Sequence, residues 1–227
     1  KDVLIYDTTL RDGCQAEDIS FTLEDKLRIA AKLEELGVDY IEGGYPGSNP
    51  RDADFFKQVK KLKLKKTRIA SFGTTRKPSA KPSQDLNLKV LLDADTPVVT
   101  LVGKAWDLHV RDALRISKKA NLEIIADSIA FMKGRVDEVI FDAEHFFDGD
   151  RSSPEYALEC LKAAEEGGAD WIVLCDTNGG RLPGDVRRAI ANQPIPVYGN
   201  GGNKRDWLYV TDHNDAVDLI LQTDWAF

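Results

Sequence analysis

Two neighbouring side chains near the start of the chain could do chemistry. Arg11 and Asp12 stand side by side, a few residues beyond the short apolar run Val3 to Tyr6. An aspartate at a strand end is a hard oxygen ligand for a divalent cation. An adjacent arginine can hold a carboxylate through paired hydrogen bonds or stabilise an oxyanion. The same two groups could instead pair with each other and merely close the end of the domain. Glu42, followed by Gly43 and Gly44, ends a second apolar run, where small residues leave space and the carboxylate could meet an arginine or only shape a loop. Glu144 is either a reacting carboxylate or a salt-bridge partner. His145 reads as a packing or hydrogen-bonding histidine rather than a base. Thr177 and Asn178 either touch a ligand or shape a turn. Cys175 has no histidine beside it and reads as a structural thiol.

These residues share one relation to the pattern around them: each follows an apolar run short enough to be a strand. Val3 to Tyr6, Val38 to Ile41, Arg68 to Phe72, Val98 to Val102, Val139 to Phe141 and Trp171 to Leu174 read as six strands. Between them lie segments with helical spacing, Thr22 to Leu36, Asp52 to Leu62, Asp85 to Leu92, Leu108 to Met132, Pro154 to Glu166 and Gly184 to Ala191. The fourth is expected as two helices broken near Ala120 and Asn121. Thr22 with Asp25 predicts an N-terminal cap, and Gly37 a C-terminal one. Strand–helix alternation with fully apolar strands predicts a parallel sheet covered by helices. No glycine-rich turn follows the first strand, so a TIM (β/α)8-type barrel is favoured over an open doubly wound sheet, and the polar residues after each strand fall at the face where such a barrel keeps its site.

The last forty residues break this rhythm. Pro194 and Pro196 flank a short extended segment, Trp207 to Val210 reads as a strand and Asp215 to Leu221 as an amphipathic helix. About six to seven strand–helix units are counted where a closed barrel has eight, so the barrel is expected to be incomplete at its C-terminal end. The division that follows is a truncated barrel over 1–192 and a divergent or chimeric tail over 193–227.

The chain has 227 residues, 42% hydrophobic and 30% charged, which fits one large folded domain and excludes a disordered chain. A net charge of −7 argues against broad nucleic-acid or anionic-membrane binding, where a basic face supplies most of the affinity. No apolar run reaches the roughly 18 residues needed to span a bilayer. Cys14, Cys160 and Cys175 are odd in number and lack C-x-x-C spacing, so neither a disulfide framework nor a structural zinc site is expected, and a reducing cytoplasm fits. Because the first residue is Lys and an apolar strand starts almost at once, a short natural N-terminus is expected to precede it.

Four motifs in order carry a family resemblance. They are Asp7-Thr8-Thr9-Leu10-Arg11-Asp12-Gly13 with Gln15, Ile41-Glu42-Gly43-Gly44-Tyr45-Pro46-Gly47-Ser48-Asn49-Pro50, Phe141-Asp142-Ala143-Glu144-His145-Phe146-Phe147-Asp148-Gly149, and Leu174-Cys175-Asp176-Thr177-Asn178-Gly179-Gly180. Over residues 1 to about 185 the chain resembles the citramalate synthases, relatives of the 2-isopropylmalate and homocitrate synthases. The resemblance implies an acyltransferase of isoleucine and leucine biosynthesis that joins acetyl-CoA to a 2-oxo acid, pyruvate favoured, by a Claisen-type condensation. It also implies a divalent metal (Mg, Mn or Zn), small-molecule substrates and a homo-oligomer. By motif position Asp12 resembles a metal ligand, Arg11 the arginine that binds substrate and stabilises developing negative charge, Glu144 a catalytic glutamate, and Thr177 a threonine that holds the oxo acid's carboxylate. The basic run Lys57 to Arg68 could attract the phosphates of CoA, against the plainer reading of a solvated helix face and end.

The family's seventh strand ends in His-x-His-Asn-Asp, and this chain has Thr211-Asp212-His213-Asn214-Asp215. His213 is retained as a metal ligand, while Thr211 stands in place of the first histidine. Residues 194 to 222, including Pro196-Val197-Tyr198-Gly199-Asn200-Gly201 and Arg205-Asp206-Trp207-Leu208-Tyr209-Val210, resemble instead the C-terminal part of dTDP-glucose 4,6-dehydratase. The fingerprint and Tyr-x-x-x-Lys site of that enzyme are absent. Two other outcomes stay open: a catalytically inactive truncated or fused barrel, and a metal-dependent retro-aldol lyase like the hydroxymethylglutaryl-CoA lyases, whose glycine-rich cysteine loop is not found.

Overall fold

A computed structural model describes residues 3–191. The predicted tail elements, and His213 with them, lie outside the described residues. Within them six strands form one sheet, β1 (Tyr6–Asp7), β2 (Tyr40–Gly44), β3 (Arg68–Thr74), β4 (Val98–Lys104), β5 (Glu138–Glu144) and β6 (Trp171–Leu174). All neighbouring pairs are parallel and the order across the sheet is the order along the chain. An unreversed order distinguishes a barrel wall from a doubly wound sheet, whose strand order turns back at its ligand crevice. The wall is an incomplete barrel, as the unit count implies.

Period-two alternation along each strand sorts side chains to two faces. Val99, Leu101, Val139, Phe141 and Ala143 turn outward into a cluster with α5 (Lys118–Lys133) and α7 (Pro154–Glu166). Ile41 and Ile69 do the same with α1 (Leu23–Leu36) and α2 (Pro50–Val59). The residues between them, Tyr40, Ala70, Val98 and Ile140, form a separate small cluster with Tyr6, Trp171 and Val173, the inner layer of the wall. One step further along the strands this inner row becomes polar.

Local chemistry explains the helix ends. Thr22 and Asp25 form the reciprocal capping box, and Gly37 closes α1 in the left-handed conformation at φ 87°. α2 starts at Pro50 behind an Asn49 cap and drives Phe55 and Phe56 against β2. A Cβ on Gly43 would lie 2.4 Å from Phe55 and 2.9 Å from Phe56, so only glycine allows that approach.

Two expectations need correction. The break in the fourth helical segment falls before α5, not near Ala120 and Asn121. A short turn, α4 (Asp107–His109), runs into a π-helical turn at Val110–Leu114, Arg115 takes the left-handed conformation, and Ser117 caps α5. Asn121 sits inside α5, buried, where its amide donates to the Lys104 carbonyl and to Tyr156. Second, β5 runs three residues beyond the expected Phe141, to Glu144, and His145 takes the N-cap position of α6 (Phe146–Ser152) with φ 57°. The remaining helices are α3 (Leu86–Asp93) and α8 (Pro183–Ala191), and among the described residues none is long and apolar enough to cross a membrane.

Candidate active site

The polar inner row gathers at the C-terminal ends of the strands. Glu42, fully buried near the end of β2, is its centre. Arg11 Nε donates to Glu42 Oε1 at 2.5 Å, and the Tyr6 hydroxyl donates to Oε2 at 2.8 Å. Thr100 Oγ1, also fully buried, lies 2.6 Å from the Tyr6 hydroxyl. Arg11 Nη1 reaches Asp12 at 3.1 Å, and the guanidinium lies over the Phe72 ring at 3.9 Å from its centroid. The guanidinium is therefore fixed by two carboxylates and an aromatic face. Arg11 and Asp12 thus pair with each other, while Arg11 also reaches Glu42 and Phe72 on the inner row.

The electrostatics follow from burial. Desolvation pushes the Glu42 carboxyl up, against the charge and hydrogen bond of Arg11 and the bond from Tyr6, which hold it down. Desolvation works to lower Arg11, but Glu42 and then Asp12 outweigh it and the net shift is upward. The Tyr6 phenol is pushed well above its ordinary value by desolvation, then by the charges of Glu42 and Asp142, so it stays a hydrogen-bond donor.

β2 is itself anchored from behind. Lys26 on α1, 3% exposed, donates to the Gly43 carbonyl at 3.1 Å and to Asp52 at 2.5 Å, and the other Asp52 oxygen accepts from the Tyr45 backbone N–H at 2.8 Å. Burying this pair is costly unless every lone pair is satisfied, and here three hydrogen bonds meet that demand at the turn that follows Glu42.

A second group lies higher on the same wall. Lys104 and Glu144 are register partners on β4 and β5 and form an ion pair. They stand four and two residues beyond Thr100 and Asp142, roughly 13 Å and 7 Å along the strands at about 3.3 Å per residue. The Thr177 hydroxyl accepts from the His145 backbone N–H at 2.9 Å, which ties the loop after β6 to the end of β5. His145 Nδ1 is 3.0 Å from Asp148, and Asp148 also takes hydrogen bonds from Asn178 and Arg181. His109 packs edge-on against His145 with ring centroids 4.5 Å apart, and desolvation, then the charges of His145 and Lys104, lowers its pKa. The His145 ring is thus hydrogen-bonded to a carboxylate to which Asn178 also donates.

Of the sequence-level candidates, Arg11 and Asp12 meet directly. Glu144 and Thr177 fall in the second group, joined through consecutive residues Glu144 and His145. His213 is outside the described residues. Among those residues no group of three or more His, Cys, Asp or Glu side chains could hold a metal ion, so the donors present do not by themselves fit a metal site. The basic run Lys57 to Arg68 leads from the last turn of α2 into the start of β3, at the opposite end of the strands from Arg11, with Lys57 paired to Asp54 and Lys60 to Asp95 at the surface. This is the solvated reading, not a phosphate cradle beside the site. Sequence reasoning missed Tyr6, Thr100, Phe72 and Lys104. Only Lys104, a lone charge closing an apolar strand, carried a signal.

A six-stranded parallel barrel wall, with its polar residues at the C-terminal ends of the strands, defines the fold class, and comparison with known proteins agrees on that fold. The model of the HMGL-like family matches residues 2–194, and the chain belongs to that family. It is 59% identical over 188 residues to the (R)-citramalate synthase of Geobacter sulfurreducens, covering 83% of this chain and 36% of that protein. It is 50% identical over 220 residues to that of Synechocystis sp., covering 96% of this chain and 40% of that protein. The chain thus spans about 35–40% of the length of these curated relatives. The hydroxymethylglutaryl-CoA lyase structure from Pseudomonas aeruginosa superposes with a TM-score of 0.66 at 22% identity, over 83% of this chain and 62% of that one, a likeness of fold. The model of the NAD dependent epimerase/dehydratase family matches residues 175–226, in line with the resemblance of the tail.

Proposed function

We propose that this chain is the barrel part of an acyltransferase of the citramalate/2-isopropylmalate synthase kind. The reaction forms a bond between the acetyl methyl carbon of acetyl-CoA and the keto carbon of a 2-oxo acid, pyruvate favoured; hydrolysis of the thioester then releases CoA. The observation that carries the reading is the clamped Arg11. A guanidinium fixed in advance by Glu42, Asp12 and Phe72 offers positive charge to the developing alkoxide without reorganising as the charge appears. Glu144, with Lys104 holding it, is proposed as the catalytic carboxylate, and Thr177 as a carboxylate-binding hydroxyl, since an oxygen that accepts from His145 keeps its own proton to donate. A divalent cation (Mg, Mn or Zn) is proposed as cofactor. Asp12 would be one ligand and His213 a second, and no step is assigned to the metal because the described donors do not complete its site.

The barrel is proposed to occupy 1–192 and the divergent tail 193–227, in a cytoplasmic homo-oligomer. A second reading is an inactive barrel fragment. Thr211, at the place of the family's first metal histidine, favours it. Incubation with pyruvate, acetyl-CoA and Mg²⁺ or Mn²⁺, with free CoA followed by a thiol reagent, separates the two. Release above that of an Asp12→Ala control supports the synthase, and its absence supports the fragment. The lyase reading has only the fold likeness behind it, at 22% identity against 59% for a synthase.

A further inference from the structure

The buried network under Arg11 has a direction. A carboxylate only accepts, so the Tyr6 proton points to Glu42 Oε2, and the 2.6 Å contact with Thr100 must then carry the threonine proton toward the tyrosine oxygen. The chain runs Thr100 to Tyr6 to Glu42, and Arg11 meets the opposite oxygen of the same carboxylate at 2.5 Å. Glu42 has two oxygens and two strong donors, one on each. Its χ angles are thereby set from both sides, with Lys26 and Asp52 holding the following turn. Tyr6 lies on β1, Glu42 on the neighbouring β2 and Thr100 on β4, so the hydrogen-bond chain ties the first two strands to one that is not their neighbour. The Tyr6 ring is held in turn by stacking on Tyr40 at 5.8 Å.

We infer that Tyr6 is a positioning residue for Arg11: its hydroxyl, oriented by Thr100, locks the Glu42 carboxylate that aims the guanidinium into the mouth of the barrel. Removing the hydroxyl leaves one oxygen of a fully buried carboxylate without its donor. The carboxylate then turns or draws the guanidinium inward, and Arg11 loses its fixed direction. Thr100 acts one step back, so its loss has the smaller effect. The role is independent of substrate identity, but its catalytic consequence rests on the proposed reading of Arg11 as the oxyanion-stabilising group.

The test uses the ¹⁵N-labelled full chain, with the Arg11 Nε–H resonance assigned by its disappearance in Arg11→Lys. In the parent protein this proton is expected to be shifted downfield and protected from exchange by Glu42. In Tyr6→Phe it should move upfield and exchange roughly tenfold or more faster, the scale of one hydrogen bond to a charged group, with a smaller change in Thr100→Val. In the condensation assay Tyr6→Phe should lower kcat much more than it raises KM. An unchanged Arg11 resonance in folded Tyr6→Phe overturns the inference. If Tyr6→Phe does not fold, an unchanged resonance in Thr100→Val does so. A parent protein that releases no CoA overturns the functional reading alone, because the resonance test needs no turnover.

Discussion

Arg11 shows how much of the site lies in single residues and how much in what surrounds them. Its Nε and Nη1 are committed to two carboxylates in fork geometry. Lysine keeps the charge but cannot bridge both groups or stack on Phe72, so Arg11→Lys is not conservative here. The expected result is a loss of about 10²- to 10³-fold in kcat, the scale of one preorganised oxyanion contact, read as the rate of CoA release with a melting curve to confirm folding. Arg11, Asp12 and Glu42 were legible because charge beyond an apolar run is conspicuous. Tyr6 was not, because an aromatic within such a run reads as core; only its hydrogen bonds to Glu42 and Thr100 show the hydroxyl at work. Asn121 misled in the opposite direction. A polar residue at a helix break looks reasonable in sequence, but three-dimensional partners satisfied it and the helix continued.

At the scale of elements, α1 is joined to the loop before β3 by one carboxylate. Glu34 accepts from the backbone N–H groups of Lys65, Lys66 and Thr67 at 2.8, 3.2 and 2.9 Å. Desolvation works to raise its pKa, but these bonds dominate and bring it down to about 2. A folded value below the unfolded one means the contribution is complete above about pH 4.5 and is lost as pH falls through about 2. Glu34→Gln should therefore lower the urea midpoint at about pH 7 and do so by less at about pH 3; a difference that is equal or larger in acid would contradict this. The element order was readable because apolar runs and helical spacing alternate cleanly. α6 was not, since Phe146–Ser152 contains Gly149 and lacks a long apolar stripe. Its place depends on tertiary approach: a Cβ on Gly149 would lie 2.3 Å from the Ala105 carbonyl.

Across the whole molecule, the described sheet has two outer strands, β1 of two residues and β6, which is half-buried along its length while β2 is buried throughout. The homo-oligomer proposed above is tested by sedimentation, which should show a species larger than one chain; a monomer at all concentrations would contradict it. The barrel class was legible from alternation and from the polar ends of the strands. The completeness of the proposed metal site was not, because the proposal counts His213 among its ligands and His213 lies outside the described residues. Whether the Arg11 site still turns over is the claim on which the rest depends. Its most direct test is CoA release from acetyl-CoA and pyruvate with Mg²⁺ or Mn²⁺. The account predicts steady, pyruvate-dependent release that falls to background in Asp12→Ala. Release no greater than in that variant, from folded protein, would contradict it.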